Sequence, residues 1–188
     1  LERFRYYGHS YDDLNYYFVG NTNMEGKRIL SINSLSNPPF KTIDSFMDYQ
    51  AHEVNLVNFI KSGRKWFGES FEDYGTLELS FDFPNFINEK NVKFGVYAAG
   101  RSNLNSTIII EPLGSEIQEI TIPKIVGDYT YAKEISDRGL FATTASEVKI
   151  DLSYSKPDAS SNAWLDYVEV SAYRRLKMHE HQMSFSFD

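Results

Sequence analysis

The sequence predicts an all-β protein built as an antiparallel sandwich, and three observations carry this prediction. Apolar and polar residues alternate through several short segments, which is the period of a strand with one buried face. These segments recur roughly every ten to fifteen residues without long helices between them, a spacing typical of sandwiches. Aromatic residues make up 15% of the chain, with 14 Phe and 13 Tyr, and such side chains favour strands.

Five segments in the middle of the chain are the clearest predicted strands. "TLELSFDF" from Thr76 and "NVKFGVYA" from Asn91 place an apolar residue at every second position. "STIIIEP" from Ser106 is a short apolar run with β-branched residues, "IQEITIP" from Ile117 has two Ile before its Pro, and "EVKIDLSY" from Glu147 alternates like the first two. Each is followed by a turn-forming residue or ends in Pro, so we expect separate strands joined by loops.

The end of the chain predicts a central strand followed by a hairpin. "NAWLDYVEVSAYRRL", from Asn162, is apolar on both faces at its start, as a strand covered on both sides would be. "HEHQ" predicts a turn, and "MSFSF" alternates as a last strand would. "AWLDYVEVSAY" resembles the last strand of galactose-binding-like sandwiches, and this resemblance implies a jelly-roll-like topology without implying sugar binding.

The first sixty residues differ from the rest. "LNYYFVG" and "KRILSI" flank a polar loop and predict a hairpin, and "KTIDSFMDY" is a further candidate strand. "AHEVNLVNFIKSG" has an approximately helical apolar stripe and predicts a helix that ends at Gly63. We therefore divide the chain into a smaller β-rich piece, residues 1–61, and a β-sandwich accessory domain, residues 62–188.

Composition excludes several classes of function. The net charge is −7 and no basic face is evident, which disfavours nucleic-acid binding. The chain has no Cys, so it has no disulfide, thiolate nucleophile or Cys-ligated zinc. No apolar run approaches the roughly 20 residues that span a bilayer, so we expect no membrane insertion. The chain opens on Leu1 rather than Met, and we expect a fragment of a longer protein.

Each sequence pattern that could indicate a catalytic or metal-binding site lacks a required partner residue. Asp166 and Glu169 share a predicted strand, but residues three positions apart point to opposite faces unless a bulge intervenes. A glycosidase needs two facing carboxylates about 5 to 10 Å apart. His179 and His181 would face the same way on a strand, yet a third metal ligand is not evident. No nucleophile elbow or phosphate-binding motif occurs, so we assign no catalytic residue and no metal ligand.

The sequence leaves two further questions undecided, namely whether loops bind a structural calcium ion and whether the Trp residues are buried. "FPNFINEKN" and "KPDASSN" offer loop oxygens of the kind that hold a structural calcium ion. We otherwise expect no cofactor. Trp164 lies in a predicted strand and is expected in the core, whereas Trp66 is either core or an exposed platform for a sugar ring.

Three segments together resemble PorU-type sortases of the type IX secretion system, which belong with the gingipain-type cysteine peptidases. They are "YYFVG…GKRI" (16–29), "HEVNLVNFIKSGRKWFGESF" (52–71) and "AWLDYVEVSAYRRLKMHEHQMSFSF" (163–187). The segments span nearly the whole chain in the right order. "SGRKWFGE" and "AWLDYVEV…RRL" are the most specific parts.

The resemblance implies a parent enzyme on the surface of Bacteroidetes that removes the C-terminal sorting signal of secreted cargo and helps to join that cargo to a lipopolysaccharide. Such an enzyme uses a Cys nucleophile with a His partner on a caspase-like domain. Because this chain has no Cys, no catalytic residue carries over. The resemblance therefore implies a non-catalytic accessory domain that precedes the peptidase domain.

The expected partners of such a domain are the peptidase domain of the same polypeptide and secreted cargo, surface glycan or other secretion components. An alternative from another class is a carbohydrate-binding module of a secreted protein, and a third is a fragment of a glycoside hydrolase. An exposed aromatic row would favour the module, and two facing carboxylates in a cleft would favour the hydrolase.

"KSGRKWFGESF" is the segment whose role is hardest to assign. Gly63 and Gly68 flank an aromatic pair, as expected of a joint that needs an unusual backbone path and an anchor. We predict a joint that leads from the N-terminal piece into the sandwich. The competing interpretation is a binding loop, in which Arg64, Trp66 and Glu69 contact a ligand.

Overall fold

Two antiparallel four-stranded sheets make up the fold in the computed structural model. It describes residues 14, 16–21, 23–28, 30–33, 36–39, 41–61, 65–127 and 129–186. The elements in these residues are β1 (Ser45–Glu53), α1 (Phe71–Tyr74), β2 (Thr76–Phe81), β3 (Val92–Arg101), β4 (Ser106–Pro112), β5 (Gln118–Ile122), β6 (Lys133–Phe141), β7 (Val148–Ser155) and β8 (Asn162–Arg175).

The order of the strands is that of a jelly roll. The first sheet runs β1-β8-β3-β6 and the second runs β2-β7-β4-β5. Four antiparallel strand pairs are nested within one another along the sequence: β1/β8, β2/β7, β3/β6 and β4/β5. The first and third pairs lie in the first sheet, and the other two lie in the second sheet. This arrangement confirms the predicted all-β, antiparallel, jelly-roll-like sandwich.

The core lies between the sheets and follows the alternation seen in the sequence. Along β2 every second residue is buried, and β8 contributes inward side chains from the centre of the first sheet. Each fully buried aliphatic side chain stabilises the fold by about 1.5–3 kcal/mol. The largest completely buried apolar side chains are Val92, Val96, Ile108, Ile110, Ile122, Val148, Ile150, Leu152, Leu165, Val168 and Val170.

A bulge interrupts the pairing of β3 with β8. Tyr97 lies opposite Tyr167, but the next residue, Ala98, lies opposite Leu165, which leaves Asp166 as an extra residue on β8. A bulge shifts the alternation by one position. Asp166 and Glu169, which a regular strand would place on opposite faces, therefore share the outer face of the first sheet.

The predicted helix at residues 51–63 is wrong for the residues described there. Ala51–Glu53 belong to β1, and Val57 forms an isolated bridge with Phe67. Val and Asn side chains at positions 54–58 have low helix propensity, and pairing of Glu53 with Tyr167 extends the sheet instead. Gly63, the predicted end of the helix, lies outside the described residues.

The two predicted hairpins do not appear in the residues that the structure describes. Of the described residues between 14 and 33, and of residues 176–186, none is assigned to a strand. The alternating "MSFSF" instead places Phe185 edge-on against Phe46, with ring centroids 6.1 Å apart. In the first segment, the side chains of Phe18 and Val19 are fully exposed.

Strand β6 was not predicted, and β1 lies before the predicted domain boundary. Most of β6 is half-exposed or exposed, so its sequence lacks a clear apolar face. β1 pairs along all nine residues with β8 and is thus the edge of the first sheet. The division between residues 61 and 62 stays a prediction.

The described part of the chain contains no helix with the length and apolar character to cross a bilayer.

Candidate binding site

The described residues 54–61 and 65–70, here called the connector, lie between the first sheet and the second. After β1 ends, the chain makes an excursion and returns, and the Phe67 amide donates to the Val57 carbonyl at 2.8 Å. The Gly68 amide then donates to the Leu165 carbonyl at 2.6 Å, and the Leu165 amide donates to the Glu69 carbonyl at 2.9 Å. Residues 68–70 thereby take the place of β1 beside β8 before the chain enters α1 and β2.

Gly68 allows the two arms of the connector to cross closely. A Cβ at this position would lie 2.8 Å from the Val54 carbonyl oxygen and 3.4 Å from that of Leu165. Both oxygens belong to the backbone and cannot move away by a change of rotamer. The close crossing therefore requires glycine at position 68, while the predicted joint between an N-terminal piece and the sandwich stays a prediction.

The three predicted binding residues differ in their placement. Arg64 lies outside the described residues. Trp66 is 45% exposed, while the neighbouring side chains of Lys65 and Phe67 turn to the sheet. The Glu69 side chain is only 13% exposed, and its Oε1 lies 2.8 Å from His52 Nε2. Glu69 is thus engaged within the fold, Trp66 faces solvent, and their predicted roles in binding stay predictions.

An aromatic cluster covers one end of the outer face of the first sheet. Phe59 of the connector stacks on Phe67 with centroids 4.4 Å apart, and it lies 4.7 Å from Trp164 and 5.0 Å from Tyr131. Trp164 is 8% exposed, which confirms its predicted burial. It is buried by this cluster on the outer face rather than between the sheets.

A network of polar groups around the buried Glu169 carboxylate occupies the middle of the same face. Glu169 Oε1 lies 3.0 Å from Arg138 Nη2 and accepts a hydrogen bond from the Tyr97 hydroxyl at 3.2 Å. The Tyr97 and Tyr167 rings stack with centroids 4.0 Å apart. Burial, together with the charge of Glu169, raises the pKa of the Tyr49 hydroxyl well above its usual range.

Asp166, the bulge residue, forms a second charged group on this face. Its Oδ2 lies 3.3 Å from Lys65 Nζ, which also lies 2.7 Å from Glu134 Oε2. Burial raises the pKa of Asp166, and the charge of Lys65 opposes that rise. The bulge thus brings Asp166 and Glu169 to one face, and each carboxylate is held by a cation in an ion-pair network.

A cleft of about 500 Å³ lies at one end of the sandwich, and we call it the loop-end cleft. It is formed where the β3–β4, β5–β6 and β7–β8 loops meet beside α1. The side chains that give it chemical character are Arg101, Asn103, Thr130, Tyr131, Asn162 and Trp164. Sequence reasoning missed this site because its residues come from segments far apart in the chain and share no motif.

The described residues do not form a cluster of metal ligands that would support the predicted calcium site or a site at His179 and His181. Among the described residues, no group of three or more His, Asp or Glu side chains is placed to hold a metal ion. His179 is exposed and lies 3.9 Å from Glu180. The Asp158 carboxylate of "KPDASSN" accepts hydrogen bonds from the amide and hydroxyl of Ser160. Structural calcium stays a prediction.

The fold and the loop-end cleft define a jelly-roll β-sandwich with a concave surface at its loop end. No family model and no curated protein sequence matches the chain. Among solved structures, the chain is similar to dimeric latent PorU from Porphyromonas gingivalis, with a TM-score of 0.60 and 17% sequence identity. The match covers 76% of this chain and 14% of the PorU chain. The chain therefore shares the fold of one part of a much longer protein.

Proposed function

We propose that this chain is a non-catalytic accessory domain of a PorU-like protein, a gingipain-type cysteine peptidase at the cell surface. The observation that carries the proposal is the shared jelly-roll fold, which matches part of PorU over 76% of this chain. The absence of Cys from the chain supports a peptidase nucleophile in another part of the parent protein.

The connector is the surface that we assign to the contact with the peptidase domain. Its side chains Leu56, Ile60 and Trp66 are 51%, 70% and 45% exposed, although they are large and apolar. Large apolar side chains exposed within one short segment make that segment a candidate contact surface. The connector is also anchored to β8 by backbone hydrogen bonds, so a partner would meet these side chains on a rigid support.

Calorimetric titration of this chain into the separately prepared peptidase part of its parent protein tests the proposal. We expect binding of the wild-type chain and a loss of about tenfold or more on Ile60→Ser with Trp66→Ala, the size typical of a contact hot spot. Leu113→Ser is the control, because Leu113 is 43% exposed in the β4–β5 loop, away from the connector. Absence of binding, or hydrolysis of a protein substrate by this chain alone, contradicts the proposal.

The alternative, a carbohydrate-binding module, requires another surface. The exposed connector residues Leu56 and Ile60 offer no hydrogen-bond donors for sugar hydroxyls. A glycan would need polar side chains around a concave surface, and in the described residues the loop-end cleft has this character.

A further inference from the structure

We propose that a small pocket, at the end of the sandwich opposite the loop-end cleft, receives one lysine side chain of a partner protein. The pocket lies where the β2–β3 loop meets the β6–β7 loop, and we call it the β2–β7 pocket. This inference concerns a different surface from the connector and does not rest on the proposed accessory role. The lining residues that carry the argument are Phe81, Asp82, Phe83, Phe86, Glu147 and Val148.

The floor of the β2–β7 pocket is apolar and its size suits a single side chain. Phe81, Phe83 and Val148 are buried, and Phe86 packs against the same core. The volume of about 200 Å³ is below the roughly 300 Å³ at which sites for whole small molecules usually begin. An apolar floor of this size matches the unbranched hydrocarbon stem of a lysine, which is commonly buried along apolar surface while its ammonium stays in water.

The rim of the pocket carries an excess of negative charge. Asp82 is exposed there, and its carboxylate forms no hydrogen bond or ion pair with a described residue. Glu147 is the second carboxylate of the described rim, and its Oε1 lies 3.0 Å from Lys149 Nζ. The Asp82 carboxylate is therefore an available acceptor for an ammonium group. The net charge of −7 adds a long-range attraction for a basic partner.

The walls of the pocket are held in place by hydrogen bonds to other parts of the fold. The Ile87 amide of the β2–β3 loop donates to the Tyr173 carbonyl of β8 at 2.9 Å. The Asn88 side chain donates to the Thr144 carbonyl at 3.3 Å and so connects the β2–β3 loop with the β6–β7 loop. Because the two loops are fixed to each other and to β8, little further ordering is needed when a side chain enters.

Lysine fits this pocket better than arginine does. The lysine ammonium is a compact charge at the end of an apolar stem, whereas the arginine guanidinium is a broad planar group with five N–H donors. A guanidinium that entered the pocket would place some of these donors against the buried aromatic floor, where they would lack acceptors. The combination of an apolar floor and a carboxylate at the rim therefore favours lysine.

NMR titration of the whole chain with two short peptides tests the proposal. One is acetyl-Gly-Lys-Gly-amide, and the other carries norleucine in place of lysine and so keeps an apolar stem without the charge. We expect millimolar binding of the lysine peptide, with amide chemical shifts that change in residues 80–86 and 146–148. The norleucine peptide should bind at least about threefold more weakly, which is the size of effect expected for a solvent-exposed ion pair.

Asp82→Asn should weaken the lysine peptide by about threefold or more and leave the norleucine peptide unchanged. Asp137→Asn is the matched control, since Asp137 is an exposed carboxylate on β6 and does not line the pocket. Unchanged melting temperatures establish that both variants are folded. Equal affinity for the two peptides, unchanged affinity of Asp82→Asn, shifts confined to other residues, tighter binding of the corresponding arginine peptide, or no binding at millimolar concentrations overturns the proposal.

Discussion

Glu169 of β8 and Arg138 of β6 form an ion pair that crosses the intervening strand β3 above Gly95. Glu169 Oε1 lies 3.0 Å from Arg138 Nη2. A Cβ on Gly95 would lie 2.9 Å from the same oxygen and 3.3 Å from Arg138 Cγ. The pair can therefore lie flat on the sheet because the residue beneath it has no side chain.

Gly95→Ala should destabilise the fold by about 1–3 kcal/mol, because the new methyl group must displace the ion pair. Urea unfolding followed by circular dichroism measures this loss. Gly20→Ala is the matched control, since a Cβ there would meet nothing within 4 Å. Equal loss in both variants would show that the space above Gly95 is not required.

Glu169→Gln should cost about 1–3 kcal/mol, because a buried carboxylate that accepts from Arg138 and Tyr97 loses its charge. The free energy of unfolding from urea titration measures the cost. Arg138→Gln and the double variant complete a cycle, in which we expect a coupling energy above about 0.5 kcal/mol. Additive losses would contradict a direct interaction. Glu119→Gln, at an exposed position of β5, controls for loss of charge alone.

Gly68→Ala should destabilise the fold by about 3 kcal/mol, which is near the upper end of the usual cost of overpacking. The reason is that the new Cβ would lie 2.8 Å from the Val54 backbone oxygen. The loss should be accompanied by faster hydrogen exchange of the Gly68 and Leu165 amides, which hydrogen-bond the connector to β8. Ser70→Ala serves as a comparison, since it removes a cap of the four-residue helix α1 without crowding. A neutral Gly68→Ala contradicts the close crossing.

The raised pKa of Asp166 predicts the direction in which the stability of the fold changes with pH. Its pKa is raised in the fold, chiefly by burial, above its ordinary value of 3.8. The folded state thus binds a proton that the unfolded state has released, and stability falls as pH rises from near 3.8 through the folded pKa. Asp166→Asn should flatten this fall in urea unfolding between acidic and neutral pH. Glu134→Gln, which removes the other carboxylate of Lys65, should leave most of it. An unchanged slope in Asp166→Asn contradicts the prediction.

The class of the fold and most of its strands could be predicted from the sequence. Strands such as β2 and β7 have one buried face, and the buried residues, such as Leu77 and Ile150, occupy every second position in the sequence. This alternation predicts the buried face. Trp164 was likewise predicted to be buried because a large aromatic residue in a strand seldom remains exposed. These properties depend on a side chain and its near neighbours, which the sequence contains.

The tertiary structure alone decided the rest. The described residues of "LNYYFVG" and "MSFSF" are not assigned to strands, whereas polar β6 becomes a strand because β3 pairs with it along its length. The bulge at Asp166 and the cleft around Arg101 arise from the register of β8 and from loops far apart in sequence. Backbone pairing and the convergence of distant segments are properties of the whole chain, so no local pattern of residues encodes them.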